Sequence, residues 1–163
     1  MAVMSTATPL VYNSQSSADT QALGEQLGQN LKGGEVIELT GDVGAGKTEL
    51  TRGLARGIDS HDQVASPTFT ISRVYRSGPK HPPVDIYHFD FYRLTDPGIL
   101  QAELAEIVQS EDVAVVVEWS DIAKDVLPDD RLQITFASPG HDERKLTLKA
   151  GPKHQHLLKG LKT

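Results

Sequence analysis

The sequence predicts a three-layer α/β domain with a mixed, mainly parallel central sheet and an antiparallel extension, and three observations carry that expectation. A short apolar strand at residues 36–40 runs straight into a glycine-rich loop, after which Leu50, Leu54 and Ile58 repeat at helical spacing. Residues 113–117 are a continuous apolar, β-branched run, the pattern of a strand covered on both faces. Two later strands, 132–137 and 145–149, flank Ser138-Pro139-Gly140-His141 and read as the antiparallel extension.

The remaining elements follow in order. Ser16-Ser17-Ala18-Asp19 supplies capping residues, and Leu23, Leu27 and Leu31 recur every fourth residue, so residues 18–31 form an amphipathic helix that Gly33-Gly34 stops. Residues 71–76 and 84–94 are strands joined by Ser77-Gly78-Pro79-Lys80-His81-Pro82-Pro83, most simply a hairpin. Asp96-Pro97 opens a helix carrying Leu100, Leu104, Ile107 and Val108, with Asp96 as N-cap.

A chain of 163 residues fits a single domain, with a core at about 18–150 and a basic tail at 151–163 that reads as a solvated helix face. No apolar run approaches the roughly 20 residues of a membrane span. The first residues lack the basic and apolar segments of a secretory signal, and cysteine is absent. The expectation is a cytoplasmic protein with no disulfide, thiolate metal site or membrane contact. A net charge of −6 argues against a protein that wraps nucleic acid unaided.

The chemistry lies in Gly41-Asp42-Val43-Gly44-Ala45-Gly46-Lys47-Thr48, a complete G-x-x-x-x-G-K-[ST] between a predicted strand and a predicted helix. Its glycines let successive N–H groups converge on phosphate oxygens, and the helix adds the positive end of its dipole. Lys47 reaches the β- and γ-phosphates of a nucleoside triphosphate, and the Thr48 hydroxyl coordinates the magnesium bridging them. Glu49 continues the nucleotide-binding stretch. The fold expected around such a loop is P-loop NTPase-like.

Hydrolysis also calls for a strand-end acid that holds magnesium or positions water. Asp90 closes Ile86-Tyr87-His88-Phe89-Asp90, and Glu118 follows the 113–117 run directly, the better fit to the template. Lys47, Asp90 and Glu118 are thus the catalytic candidates, and Thr48, Glu118 and Asp90 the metal candidates. His88 reads as a hydrogen-bonded core residue. Thr68, within Ser66-Pro67-Thr68-Phe69, is placed where a γ-phosphate sensor would stand. Trp119 suits core, interface or a lid over the base.

Taken together, the loop, Ser66-Pro67-Thr68-Phe69, His88-Phe89-Asp90-Phe91-Tyr92-Arg93-Leu94 and Glu118-Trp119 resemble the TsaE (YjeE) family of bacterial ATPases over about residues 23–148. The resemblance implies an ATPase that supports formation of N6-threonylcarbamoyladenosine in tRNA by binding a pair of partner proteins, TsaD and TsaB, and that meets tRNA only through them. It also implies Lys47 as phosphate ligand, Thr48 as magnesium ligand, Thr68 in a switch segment, Asp90 and Glu118 as site acids and Trp119 near the nucleotide. Thr40, where an acidic or other residue often precedes the loop, and the tail after Gly151 depart from the pattern. The competing readings are a small-molecule kinase, for which no arginine-rich lid segment is visible, and a nucleotide-dependent switch with incidental hydrolysis. A GTPase is disfavoured by the absence of N-K-x-D.

Overall fold

The computed structural model describes residues 8–42, 44–65, 72–92 and 98–162, without the side chains of residues 99 and 122. Seven strands form one sheet in the order β1-β7-β6-β2-β5-β4-β3. They are β1 Leu10–Ser14, β2 Val36–Thr40, β3 Ser72–Tyr75, β4 Asp85–Asp90, β5 Val113–Glu118, β6 Leu132–Ala137 and β7 Arg144–Ala150. The four central strands, β6, β2, β5 and β4, are parallel. The flanking pairs β1/β7, β6/β7 and β3/β4 are antiparallel. This is the expected mixed sheet, including the β3/β4 hairpin and the β6/β7 extension.

Helices α1 (Ser17–Gln29) and α2 (Lys47–Gly57) cover one face, while α3 (Gly98–Ile107) and a 3₁₀ helix at Ser120–Val126 cover the other. The period-two alternation of a strand sorts the side chains. Ile37, Ile86, Ala114 and Val116 go to the α1/α2 layer, and Val36, Phe89, Val115 and Val117 to the α3 layer. By the same alternation His88, Asp90 and Glu118 share the α1/α2 face. No described helix is long and apolar enough to cross a membrane.

Three local expectations need correction. First, α1 ends at Gln29 with Asn30 as a right-handed cap, so Gly33-Gly34 does not stop it. The two glycines instead shape the turn into β2, where the buried Glu35 carboxylate accepts the N–H groups of Lys32 and Gly33 at 2.6 and 2.8 Å. Second, β1 joins the sheet ahead of the core expected to begin near residue 18. Third, the tail is no solvated helix face. It forms a 3₁₀ helix at Pro152–Leu158 with His154 and Leu157 buried. The strand expected over 84–94 ends at Asp90, and its last two positions, like Asp96 and Pro97, lie outside the described residues.

Helices α1 and α2 meet almost backbone to backbone through Gly24, Gly28, Gly53 and Gly57. A Cβ at Gly53 would stand 2.1 Å from the Gln21 carbonyl oxygen, and one at Gly24 2.3 Å from that of Leu50. At the other end of the sheet His154 Nε2 accepts the Val36 N–H at 2.9 Å, while Nδ1 faces Asp130 Oδ1 at 2.9 Å. The first bond requires an unprotonated Nε2, so Nδ1 carries the proton and donates to Asp130.

Two stability outcomes follow. Gly53→Ala destabilises the fold by about 1–3 kcal/mol in urea unfolding despite alanine's better helix propensity, because the new methyl meets backbone that cannot swing aside. His154→Ala costs about 1–3 kcal/mol by the same measurement, since the Val36 N–H is left buried without its acceptor.

Candidate functional site

The parallel strands β2, β4 and β5 end side by side, and Lys47, Asp90, Glu118 and Trp119 gather at their carboxyl ends, where open α/β sheets place ligands. Directly after β2 the chain turns through the glycine loop. Gly44 and Gly46 have left-handed φ values of 81° and 102°, which only glycine adopts cheaply, and Gly46 caps α2. Ala45 is buried, and its N–H donates to the Asp42 carbonyl at 3.1 Å. Thr48 is partly buried in the first turn of α2. Val43 lies outside the described residues, as does Thr68.

Lys47, the first residue of α2, is only 6% exposed. Its ammonium donates to the Gly41 carbonyl at 2.6 Å and stands 4.0 Å from the centre of the Trp119 ring, a cation–π contact. Burial pushes its pKa down, against the pull of Glu118, Asp90 and Asp42. The amine is therefore poorly solvated and feels the charges of the strand-end acids.

Asp90 and Glu118 are direct neighbours in the β4/β5 register. Glu118 is 3% exposed, and its Oε2 lies 2.6 Å from His88 Nε2. His88 Nδ1 in turn lies 3.1 Å from the Tyr75 hydroxyl. Asp90 Oδ1 accepts the Tyr92 N–H at 3.0 Å. Burial raises the Asp90 pKa and the Glu118 charge adds to it, while the Tyr92 N–H, His88 and Lys47 oppose the rise.

Trp119 follows Glu118 in a left-handed conformation, φ 55° and ψ 51°, uncommon for so bulky a residue. Its ring lies 4.8 Å, centre to centre, from that of Tyr92. The chain just beyond it is tied down by Glu38 of β2, whose carboxylate accepts the Ser120 hydroxyl, the Gln133 amide at 3.1 Å and the Arg131 guanidinium at 3.3 Å. Burial pushes the Glu38 carboxyl up, but these bonds and the Arg131 charge outweigh it and hold its pKa below the ordinary range.

Two clefts flank the loop. One, of about 180 Å³, is lined by Leu39, Thr40, Gly41, Asp42, Lys47 and the Trp119–Asp121 turn. The other, of about 270 Å³, is more polar and is lined by Gln15, Ser16, Thr20, Gly44, Gly46, Glu49 and Arg144 among others. Glu49 borders this second cleft with its carboxylate engaged by Gln21 and Arg52. Arg144 donates to the Gly44 carbonyl at 3.3 Å.

A model of the family described as Threonylcarbamoyl adenosine biosynthesis protein TsaE matches residues 14–146. The chain belongs to the TsaE family. It is 35% identical over 153 residues, 93% of each chain, to the tRNA threonylcarbamoyladenosine biosynthesis protein TsaE of Bacillus subtilis. To the protein of the same description from Streptomyces coelicolor it is 41% identical over 113 residues, 69% of this chain and 74% of the relative. Among solved structures it is similar to the crystal structure of Bacillus subtilis YdiB, with a TM-score of 0.74 and 32% identity over 93% of each chain.

In this TsaE-family fold the loop, Lys47, Asp90, Glu118 and Trp119 lie together at one end of the sheet. Three features escaped the sequence reading: the His88 bond to Glu118, the Glu38 anchor beneath Ser120, and the cleft beside Arg144. The alternation of Ile86, His88 and Asp90 already places His88 on the site face, so that one was within reach. Arg144 carries no local signal, because only the sheet order brings it to the loop.

The Asp90 shift has a consequence for stability. A carboxyl with a raised folded-state pKa binds its proton more tightly folded than unfolded, so its ionised form costs stability above that pKa and the cost fades as pH falls through it. Asp90→Asn is therefore expected to unfold at higher urea than the parent at pH 7, with the difference narrowing as the pH falls through the raised folded-state pKa.

Proposed function

We propose that this TsaE-family chain is a magnesium-dependent ATPase serving as an accessory component of tRNA N6-threonylcarbamoyladenosine formation. The observation that carries the reading is the convergence of the buried Lys47 ammonium with two strand-end carboxylates at the mouth of a complete phosphate-cradling loop. The curated relatives' role in threonylcarbamoyladenosine biosynthesis supports the pathway, and the family resemblance supports TsaD and TsaB as partners. With a net charge of −6, the chain meets tRNA through those partners rather than by itself.

The donor set suits magnesium. Among the described residues no three His, Cys, Asp or Glu side chains converge to hold a metal. What is present is a hydroxyl, Thr48, and two adjacent carboxylates, Asp90 and Glu118. Magnesium is commonly held this way, by one or two carboxylates plus the phosphates of its substrate. When bound, it would supply charge neutralisation on the phosphate chain.

The protein's own part is positioning and electrostatics. Loop N–H groups and the α2 N-terminus cradle the phosphates. Lys47 leaves Gly41 and Trp119 for the β- and γ-phosphate oxygens and stabilises the charge that develops as the phosphoryl group transfers. Glu118 or Asp90 orients the attacking water. Thr68 serves as the γ-phosphate sensor, and Trp119 closes the first cleft over the bound nucleotide. The polar cleft at Gln15, Thr20 and Arg144 offers hydrogen bonds to the nucleoside end.

Lys47→Ala tests the reading at two levels. The purified variant is expected to lose magnesium-dependent ATP binding by at least about tenfold, a loss of some 1.4 kcal/mol, and hydrolysis with it. In cells lacking the gene, wild-type complementation restores tRNA threonylcarbamoyladenosine, read by nucleoside mass analysis, and Lys47→Ala does not. A variant with normal binding and turnover would sink the ATPase reading. A deletion strain with normal nucleoside levels would remove the pathway and leave the ATP site standing.

A further inference from the structure

His88 is wholly buried, yet both ring nitrogens are used. The Tyr75 hydroxyl lies between the Ala65 carbonyl, 3.2 Å away, and His88 Nδ1. A carboxylate oxygen accepts, so the ring proton sits on Nε2 facing Glu118, and Nδ1 accepts the Tyr75 O–H at 3.1 Å. Burial raises the Tyr75 pKa to about 12, so the phenol keeps this proton at any working pH. With Nδ1 held, the opposite ring nitrogen meets Glu118 Oε2 at 2.6 Å.

The direction of that last bond matters. In the β4/β5 register Glu118 stands opposite Asp90 and Val116 opposite His88, so the bond is diagonal and draws Oε2 back along β5 toward the sheet interior. A buried pair of this kind is a poor way to stabilise a sheet, since apolar side chains of similar volume do as well or better. What it supplies is orientation, the usual work of a group that hydrogen-bonds a functional carboxylate from behind.

We propose that His88, clamped by Tyr75, is a positioning residue that fixes one oxygen of Glu118 and leaves the other to face the nucleotide. This inference rests on the ATPase reading above and goes beyond it by assigning His88 and Tyr75 to the turnover step rather than to nucleotide binding.

The test compares two neutral amides in the full-length chain. A glutamine places its amide nitrogen about where Nε2 stands, and an asparagine about where Nδ1 stands. Acting through Glu118, His88→Asn lowers kcat about 10- to 100-fold while His88→Gln stays within about threefold of the parent, with ATP affinity changed in neither beyond about twofold. In a Glu118→Gln background the two variants have equal kcat. A purely structural role predicts equal losses for Asn and Gln, tracking their stabilities, and that result overturns the inference. If His88→Asn does not fold, Tyr75→Phe decides: it removes one hydroxyl at nearly constant volume, and wild-type kcat in that variant overturns the proposal while a lowered kcat at unchanged ATP affinity supports it. A wild-type chain that never hydrolyses ATP removes the ATPase reading and this inference together. Normal wild-type turnover with unaffected His88 and Tyr75 variants removes only this one.

Discussion

The close approach of α1 and α2 is the constraint on which the site depends. Four glycines let two helix backbones pass where any Cβ would stand within 2.4 Å of a carbonyl oxygen of the facing helix. Protein interiors are packed too densely to absorb such a clash without moving something. Here the movable body would be α2, whose first residue is Lys47 and whose N-terminus closes the glycine loop. Shifting α2 outward would withdraw the ammonium from the strand-end acids on the sheet beneath it. The helix contact therefore sets the distance between the loop and the carboxylates, although none of its four glycines belongs to the site.

Charge burial is the second constraint. Lys47 is desolvated, and its downward pKa shift is limited by Glu118, Asp90 and Asp42. Asp90 is pushed the other way, with Lys47 among the groups that oppose the shift. Lys47 and the two carboxylates favour one another's charge while the carboxylates oppose each other, so replacing one member shifts the balance for the rest. The Gly41 carbonyl and the Trp119 ring complete the surroundings of the ammonium. Trp119 makes this contact from a left-handed backbone conformation, a strain of order 1–3 kcal/mol for a bulky residue. The Glu38 bonds to Ser120, Arg131 and Gln133 hold the adjacent chain in place against it.

How much of this was legible in the sequence depended on whether the signal was local. The loop, the buried β5 run and the acids at the ends of β4 and β5 are contiguous patterns, and each lands where its spacing indicates. The glycines of α1 and α2 were not read, because Gly24, Gly28, Gly53 and Gly57 acquire meaning only as two facing pairs of i, i+4 positions. The tail was misjudged for a related reason. Its lysines look solvated, but His154 reaches the β2 backbone and Asp130, and His156 faces the buried Glu35 at 2.9 Å. Charge counting along a segment cannot see a partner more than a hundred residues away. β1 carries too few residues with too weak an alternation to stand out before its partner β7 is known.

The sheet order turns these long-range pairings into part of the site. Because β1 joins the sheet through β7, Ser14 stands in register with Arg144. The start of α1 and the start of β7 thus come together beside Gly44, although some 130 residues of chain separate them. The polar cleft on that flank, with Gln15, Ser16 and Thr20 on one wall and Arg144 on another, exists only once both ends of the chain have docked. The glycine loop is complete in the sequence by Thr48, whereas the surface that would receive the rest of a nucleotide waits on the last strand. The cleft on this flank is therefore built from both ends of the chain, and the antiparallel extension supplies one of its walls.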